Sequence, residues 1–329
     1  MKIAIVNCYF GAFPNYFQLW LNSCKFNSDF DFIMFTDESV ENYIIPENVH
    51  VIKNSWDELK TIIQSKFEFE VQIESPYKLT DFKAAYGYIF SKYLEKYDYW
   101  GYCDVDLIFG DLSKFVMPKL YQGYEKIYQL GHLTLLKNNK KLTELFMQNG
   151  APFSYQEVFS NKQFYSFDEH AGLMSISKFN EILEYHAEDM ADISCRISRL
   201  KASRQKNYQN QVFYYEDGHV LRAYIDDLGE VKTDEFAYIH LQKRKMVNHA
   251  SSNMYYIFSN QFVDKTENGT PNINTIKKLS GFQSDWIENK EHKQYYISKL
   301  AEFFCSSFAE KRIWIIQKRA ERTFKNNSD

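Results

Sequence analysis

The chain has 329 residues, room for one large α/β domain or a domain with a small appendage, and its 45% hydrophobic and 18% aromatic content argues against a disordered chain. A net charge of −4 argues against a nucleic-acid binder, which carries a basic domain. Five cysteines at positions 8, 24, 103, 195 and 305 form no CxxC pair, which fits reduced thiols and offers no zinc framework.

The start, MKIAIVNCYFG, lacks the basic head and long apolar stretch of a secretory peptide, and no run approaches the roughly 18 apolar residues of a membrane span. A cytoplasmic protein is expected, soluble or peripheral on the inner face of the cell membrane. Lys2–Val6 reads as a first buried strand, and Phe17, Trp20, Leu21 and Cys24 recur at helical spacing. Phe30–Phe35 and Val49–Ile52 read as further strands, with a helix over Trp56–Phe67. This alternation predicts a mostly parallel sheet covered on both faces, with ligands beyond the carboxyl ends of its strands. Asn7 and Asp37 fall at such ends, with Tyr9 beside the first.

In SPYKLTDFK a helix is expected to begin near Leu79 or Thr80, with Phe82, Tyr86, Ile89, Phe90 and Tyr93 as its apolar stripe. Lys78 and Asp81 lie at its first turn. Lys78 there can contact a phosphate; equally, Asp81 can cap the helix while the lysines stay in water. Next comes YDYWGYCDVDLIFGD, Tyr97–Asp111, on which the reading is centred. Its aromatic first half suits a buried strand. Asp104 and Asp106, two apart on extended chain, point the same way, and paired carboxylates suit Mg²⁺ or Mn²⁺ bridged to phosphates. Alone, such a pair is better explained by a strand end and turn.

Lys126–Leu136 reads as one or two strands around Gly131-His132, Lys141–Met147 as a helix, and Ala151–Tyr165 as an irregular loop over a site. Phe167–Ile176 is expected to turn from acidic residues into a strand, followed by a helix over Lys178–Tyr185. Asp168 and Glu169 in that turn can bind hydroxyls or move a proton, or simply cap and solvate the turn. Gln211–Tyr215 and His219–Tyr224 read as a hairpin, and Phe236–Leu241 as a strand running into Gln242-Lys243-Arg244-Lys245. A histidine in an apolar strand is usually a core residue. His240 differs because basic residues follow it at once, so it can be a third metal ligand with cations beside a diphosphate. From Gln294 the chain turns basic and aromatic. That pattern suits a helical tail on an anionic membrane surface, or one packed on the domain with a solvated basic face.

Together, PYKLTDFKAAYG, WGYCDVDLIFGD, DEHAG and HLQKRKM make the chain resemble bacterial GT-A glycosyltransferases of capsule and surface-polysaccharide clusters, over about residues 1–250. More distantly it is similar to glycosyltransferase family 8. The resemblance implies a GT-A fold, Rossmann-like with a mostly parallel central sheet and flanking helices, for residues 1–250, and a basic, aromatic helical extension for 251–329. It implies Mn²⁺, or Mg²⁺, held by Asp104, Asp106 and His240. It also implies a UDP-sugar contacted by Asn7, Tyr9, Asp37, Lys78, Asp81, Asp104 and Lys243. Asp168 and Glu169 are the candidate catalytic carboxylates. The acceptor would be a glycan or an undecaprenyl-diphosphate-linked sugar. The chain departs from family 8 at His170, where that family has Asn before Ala-Gly, and in Leu-Gln-Lys-Arg-Lys after His240. A rival expectation is a non-catalytic UDP-binding partner of another transferase.

Overall fold

The structure, a computed structural model, describes residues 1–186, 188–242, 244–280 and 285–325. Its first strands are β1 (Ile3–Cys8), β2 (Phe30–Thr36), β3 (Val49–Lys53) and β4 (Tyr99–Cys103). β1 is apolar at nearly every position because both its faces are covered, as in a central parallel strand. The helix Phe17–Lys25 buries Phe17, Trp20, Leu21 and Cys24, the spacing read from sequence. The helix Trp56–Gln64 starts at Ser55, whose hydroxyl accepts from the Glu58 amide while Glu58 reaches back, a closed capping box.

Beyond β4 come β5 (Leu107–Phe109), β6 (Lys126–Leu130), β7 (Leu133–Lys137), β8 (Glu184–Tyr185) and β9 (Met190–Asp192). The central sheet has the order β3-β2-β1-β4-β7-β6-β8, and within it only β7 runs against the others. The chain therefore builds outward from β1 to β3, then returns to lay β4 on the other side of β1. That reversal leaves a crevice at the carboxyl ends of β1 and β4, where α/β sheets bind ligands.

The remaining strands are β10 (Gln211–Glu216), β11 (His219–Ile225), β12 (Val231–Phe236), β13 (Tyr238–His240), β14 (Val247–His249), β15 (Met254–Ile257) and β16 (Gln261–Asp264). β10 and β11 form the expected hairpin at the centre of a second, six-stranded sheet. This sheet crosses the expected boundary at residue 250: β15 pairs with β10, and β16 with both β14 and β15. The helical extension begins later, with Ile273–Leu279, Asp285–Cys305 and Phe308–Lys325. Its last helix is packed on the domain through buried Ile313.

Four further local expectations are corrected. The stretch from Leu79 is a series of short turns, from Pro76–Lys78 to Ser91–Leu94, rather than one helix. Leu173–Phe179 is a helix, not a strand, and buries Leu173, Met174, Ile176 and Ser177; a short apolar run does not itself distinguish the two. The helix expected over Lys178–Tyr185 has already ended at Phe179, and Glu184–Tyr185 is an edge strand beside β6. Ala151–Tyr165 contains the helix Tyr155–Phe159, and its Phe153, Val158, Phe159 and Tyr165 are core residues.

The turn Tyr86–Ile89 lies against β4 so closely that a Cβ on Gly87 would fall 2.3 Å from Cε2 of buried Trp100. Gly87→Ala is therefore expected to lower unfolding stability by about 1–3 kcal/mol, as overpacking does. Denaturant midpoints check this, and an unchanged midpoint would contradict so tight an approach.

Candidate metal centre and active site

Asp104 follows the last residue of β4, and its amide donates to the carbonyl of His132 (3.0 Å) in the β6–β7 turn. Three residues on, the chain enters β5, which pairs antiparallel with β13; β13 in turn pairs parallel with β9. The register sets His240 opposite Leu107 on one side and Asp192 on the other. Backbone bonds lock the junction: Leu241 N–H donates to Asp106 O (2.9 Å), and Ile193 N–H to His240 O (3.0 Å). Residues far apart in sequence thus converge by sheet pairing alone.

One ligand atom each from Asp104, Asp106 and His240 lies within 4.8 Å of the others. Two carboxylates and an imidazole suit Mn²⁺ or Mg²⁺, so the residues present fit the expected ion. His240 is oriented from behind: its Nδ1 is 2.8 Å from Asp192 Oδ1, which also accepts from Gln242 Nε2 (2.6 Å). Its Nε2 faces Asp106 Oδ1 at 3.5 Å. Burial opposes charge on His240, but Asp106 and Asp192 outweigh it and raise the pKa to about 10. The same hydrogen bond and the nearby imidazoles hold Asp192 well below the usual carboxylate range, against its own burial.

Lys83 is the second organiser. Its buried ammonium donates to Asp104 Oδ1 (2.5 Å) and Gly131 O (2.9 Å) and lies 3.6 Å from Asp168 Oδ2. Burial disfavours its charge, yet Asp104 and Asp168 keep its pKa above the ordinary lysine value. Asp168 is buried, and that burial raises its pKa well above normal although Lys83 pulls the other way. Gly131 is needed here because a Cβ would fall 2.1 Å from Asp168 Oδ2. Its N–H donates to Glu169 Oε1 (3.1 Å), and Glu169 keeps about a third of its side-chain exposure.

The other expected residues divide. Asn7 is buried and joins β1 to β4, donating to Cys103 O (2.7 Å). Asp37 stays exposed and accepts from Gly11 N–H (3.0 Å), tying the first two strand ends together. Tyr9 lies half-buried near Asp106, its pKa raised first by burial and then by Asp106 and Glu38. Lys78 does not reach the crevice as a phosphate contact. Its ammonium is buried and donates to Asp81 (2.8 Å), Val158 O (2.9 Å) and Gln163 O (2.5 Å), which takes all three of its protons. Asp81 is likewise internal, accepting from Tyr165 and Phe167 N–H and so shaping the segment that carries Asp168. Lys243 lies outside the described residues.

Sequence reasoning missed Lys83, His132 and Asp192. Lys83 and His132 are polar residues inside otherwise apolar stretches, FKAAY and LGHLT, which is a usable signal. Asp192 carries none, because its role depends wholly on pairing β9 with β13.

The architecture is mixed α/β, with a mostly parallel central sheet, a carboxylate–imidazole cluster at its switch point and C-terminal helices. Over residues 5–266 the chain matches the family described as "Family of unknown function (DUF6625)", and it belongs to that family. No curated protein matches it in sequence. Among solved structures it is similar to mouse xyloside xylosyltransferase 1, apo form, at 9% identity and a TM-score of 0.37, over 59% of this chain and 88% of that one. It is also similar to galactosyltransferase LgtC in complex with donor and acceptor sugar analogues, at 9% identity and 0.31, over 58% and 75%.

Two outcomes follow from the geometry. Asp192→Asn, which leaves shape but removes the charge behind His240, is expected to weaken Mn²⁺ binding about 10–100-fold, as outer-shell changes do; unchanged affinity by titration calorimetry would refute the role. Since His240 is protonated without an ion, Mn²⁺ loading near neutral pH should release about one proton per ion. Calorimetry in buffers of different ionisation enthalpy reads that release. The sign for stability is set by the same shift: the contribution of His240 is full below its ordinary pKa of 6.5 and is lost as pH rises through about 10.

Proposed function

We propose that the chain is a metal-dependent glycosyltransferase. In this reading it moves a hexose, galactose or glucose, from a UDP-sugar to a glycan or undecaprenyl-diphosphate-linked acceptor in capsule or surface-polysaccharide synthesis. The observation that carries the reading is the meeting of Asp104, Asp106 and His240 at the crevice where β1 and β4 part. A bound Mn²⁺ or Mg²⁺ supplies Lewis-acid neutralisation of the departing diphosphate. Lys83 holds Asp104 in place and Asp192 holds His240, so the ligand atoms are positioned before donor arrives. Tyr9, half-buried near Asp106 with its ring stacked on Phe13, is the proposed contact for the base, and exposed Asp37 can accept from ribose hydroxyls. In an inverting reaction Glu169 is favoured over Asp168 as base, because Asp168 is enclosed behind Lys83 and Gly131. Lys243 remains the proposed phosphate contact.

The test is UDP release from a panel of UDP-sugars, with and without Mn²⁺. Mn²⁺-dependent release from one donor is expected, and Asp106→Ala should reduce it by more than the roughly 10–100-fold typical of outer-shell changes. No UDP binding and no release from any donor would end this reading.

Membrane contact belongs to the same proposal. Among the described residues no helix is long and apolar enough to cross a membrane. Leu300, Phe304 and Phe308 are nonetheless 54%, 72% and 86% exposed near Lys299 and Lys311, a composition suited to an anionic lipid surface. Sedimentation with phosphatidylglycerol vesicles should fall when Phe304 and Phe308 are both replaced by Ser, and equal sedimentation would refute the contact.

A further inference from the structure

Behind His240 lies a second group of ligand atoms. One atom each from His132, Asp192 and His240 lies within 4.8 Å of the others. His132 sits at the β6–β7 turn, where the strand register shifts between Ile127 and Leu130 and Tyr128 adopts a left-handed φ of 63°. Such an irregularity re-aims a side chain. Its ring is 4% exposed and lies 4.3 Å from the His240 ring, centroid to centroid. Nδ1 is 2.9 Å from the Tyr238 hydroxyl, while buried Nε2 has no hydrogen-bond partner among the described residues. An orphaned nitrogen in the interior is costly unless something else binds it.

We propose that His132, Asp192 and His240 form a second cation site, suited to Zn²⁺, that competes with the Asp104–Asp106 pair for His240. Two imidazoles and one carboxylate are a zinc ligand set, whereas two carboxylates and one imidazole suit a harder ion. Zinc–ligand bonds of about 2.0–2.2 Å need ligand atoms roughly 3.4 Å apart, so the His240 Nδ1–Asp192 Oδ1 pair, now 2.8 Å apart, opens slightly, within a group whose ligand atoms all lie within 4.8 Å of one another. An imidazole that coordinates through Nδ1 carries its remaining proton on Nε2. Nε2 then keeps its own proton, hydrogen-bonds Asp106 and can no longer coordinate the first ion. Zinc is therefore an inhibitor of the first site without occupying it.

This proposal does not depend on the transferase reading, and its test uses the full chain with metal alone. The two groups differ in imidazole count, so X-ray absorption at the zinc edge separates them. Two imidazoles per zinc are expected in the wild-type chain, with His132→Gln binding zinc at least ten-fold more weakly and showing one. Equimolar zinc should also displace Mn²⁺, followed by the electron paramagnetic resonance of the freed ion. A single imidazole in the wild-type chain, no zinc binding at micromolar concentration, or an unchanged His132→Gln variant would overturn the site. Mn²⁺ retained beside bound zinc would overturn the competition. If His132→Gln fails to fold, the wild-type imidazole count decides by itself. Absence of any Mn²⁺ binding would count against the transferase reading and leave the zinc result standing.

Discussion

Carboxylates withdrawn from water need a cation or donors within reach, and the crevice end of this molecule gathers four of them. Asp81 and Asp168 are buried, and Asp106 and Asp192 keep less than a fifth of their side-chain exposure. Each has a cation within reach, although burial still raises the pKa values of Asp81 and Asp168 above the ordinary carboxylate value. Lys78 and two amides serve Asp81; Lys83 serves Asp168 and the more exposed Asp104; His240 stands between Asp106 and Asp192. Removing one cation would strand at least one carboxylate, so these pairs fix the position of the segments that carry them. The turn at Gly131-His132 is held by the same set, through Lys83 on its carbonyl and Glu169 on its amide.

What could be read from the chain was whatever depends on local periodicity. β1, β2 and β4 are largely apolar runs that suit buried strands and β3 is a shorter edge strand, while Asp104 and Asp106 share a side because extended chain repeats every two residues. His240 was found because polar chemistry follows an apolar strand. Lys78 and Lys83, five residues apart in one motif, were not distinguishable: both are buried and both pair with an aspartate. Only the path of the broken helical turns decides that Lys83 faces Asp104 while Lys78 faces the loop at Val158 and Gln163. Asp192 was invisible for a stronger reason, since parallel pairing between β9 and β13 joins residues nearly fifty positions apart.

The tail shows the same division. Its helical character and basic, aromatic composition were legible, but where it starts was not, because β15 and β16 read as weakly patterned chain until their partner β10 is known. Its last helix is tied to the segment with the candidate catalytic carboxylates: Gln317 Nε2 donates to Ser166 Oγ (3.4 Å), and the Phe324 ring is 5.6 Å from His170. One face of the extension thus belongs to the domain while Leu300, Phe304 and Phe308 turn outward. Of the two readings the composition allowed, the packed one holds for the last helix, which lies on the domain, while Leu300 and Phe304 stay exposed on the helix before it.

The electrostatics also explain how such a cluster persists before any ion binds. Without an ion, the positive charge between Asp106 and Asp192 is carried by the His240 ring, and Asp104 is held by Lys83. The divalent ion proposed for Asp104 and Asp106 would therefore bind by exchange, replacing the proton on His240 and sharing Asp104 with Lys83. The net gain in local charge is smaller than two units, which moderates affinity relative to a bare carboxylate pair. In the proposed transferase, a diphosphate that brings its own negative charge would restore the balance that such an exchange disturbs. Metal and nucleotide would accordingly bind more tightly together than either does alone.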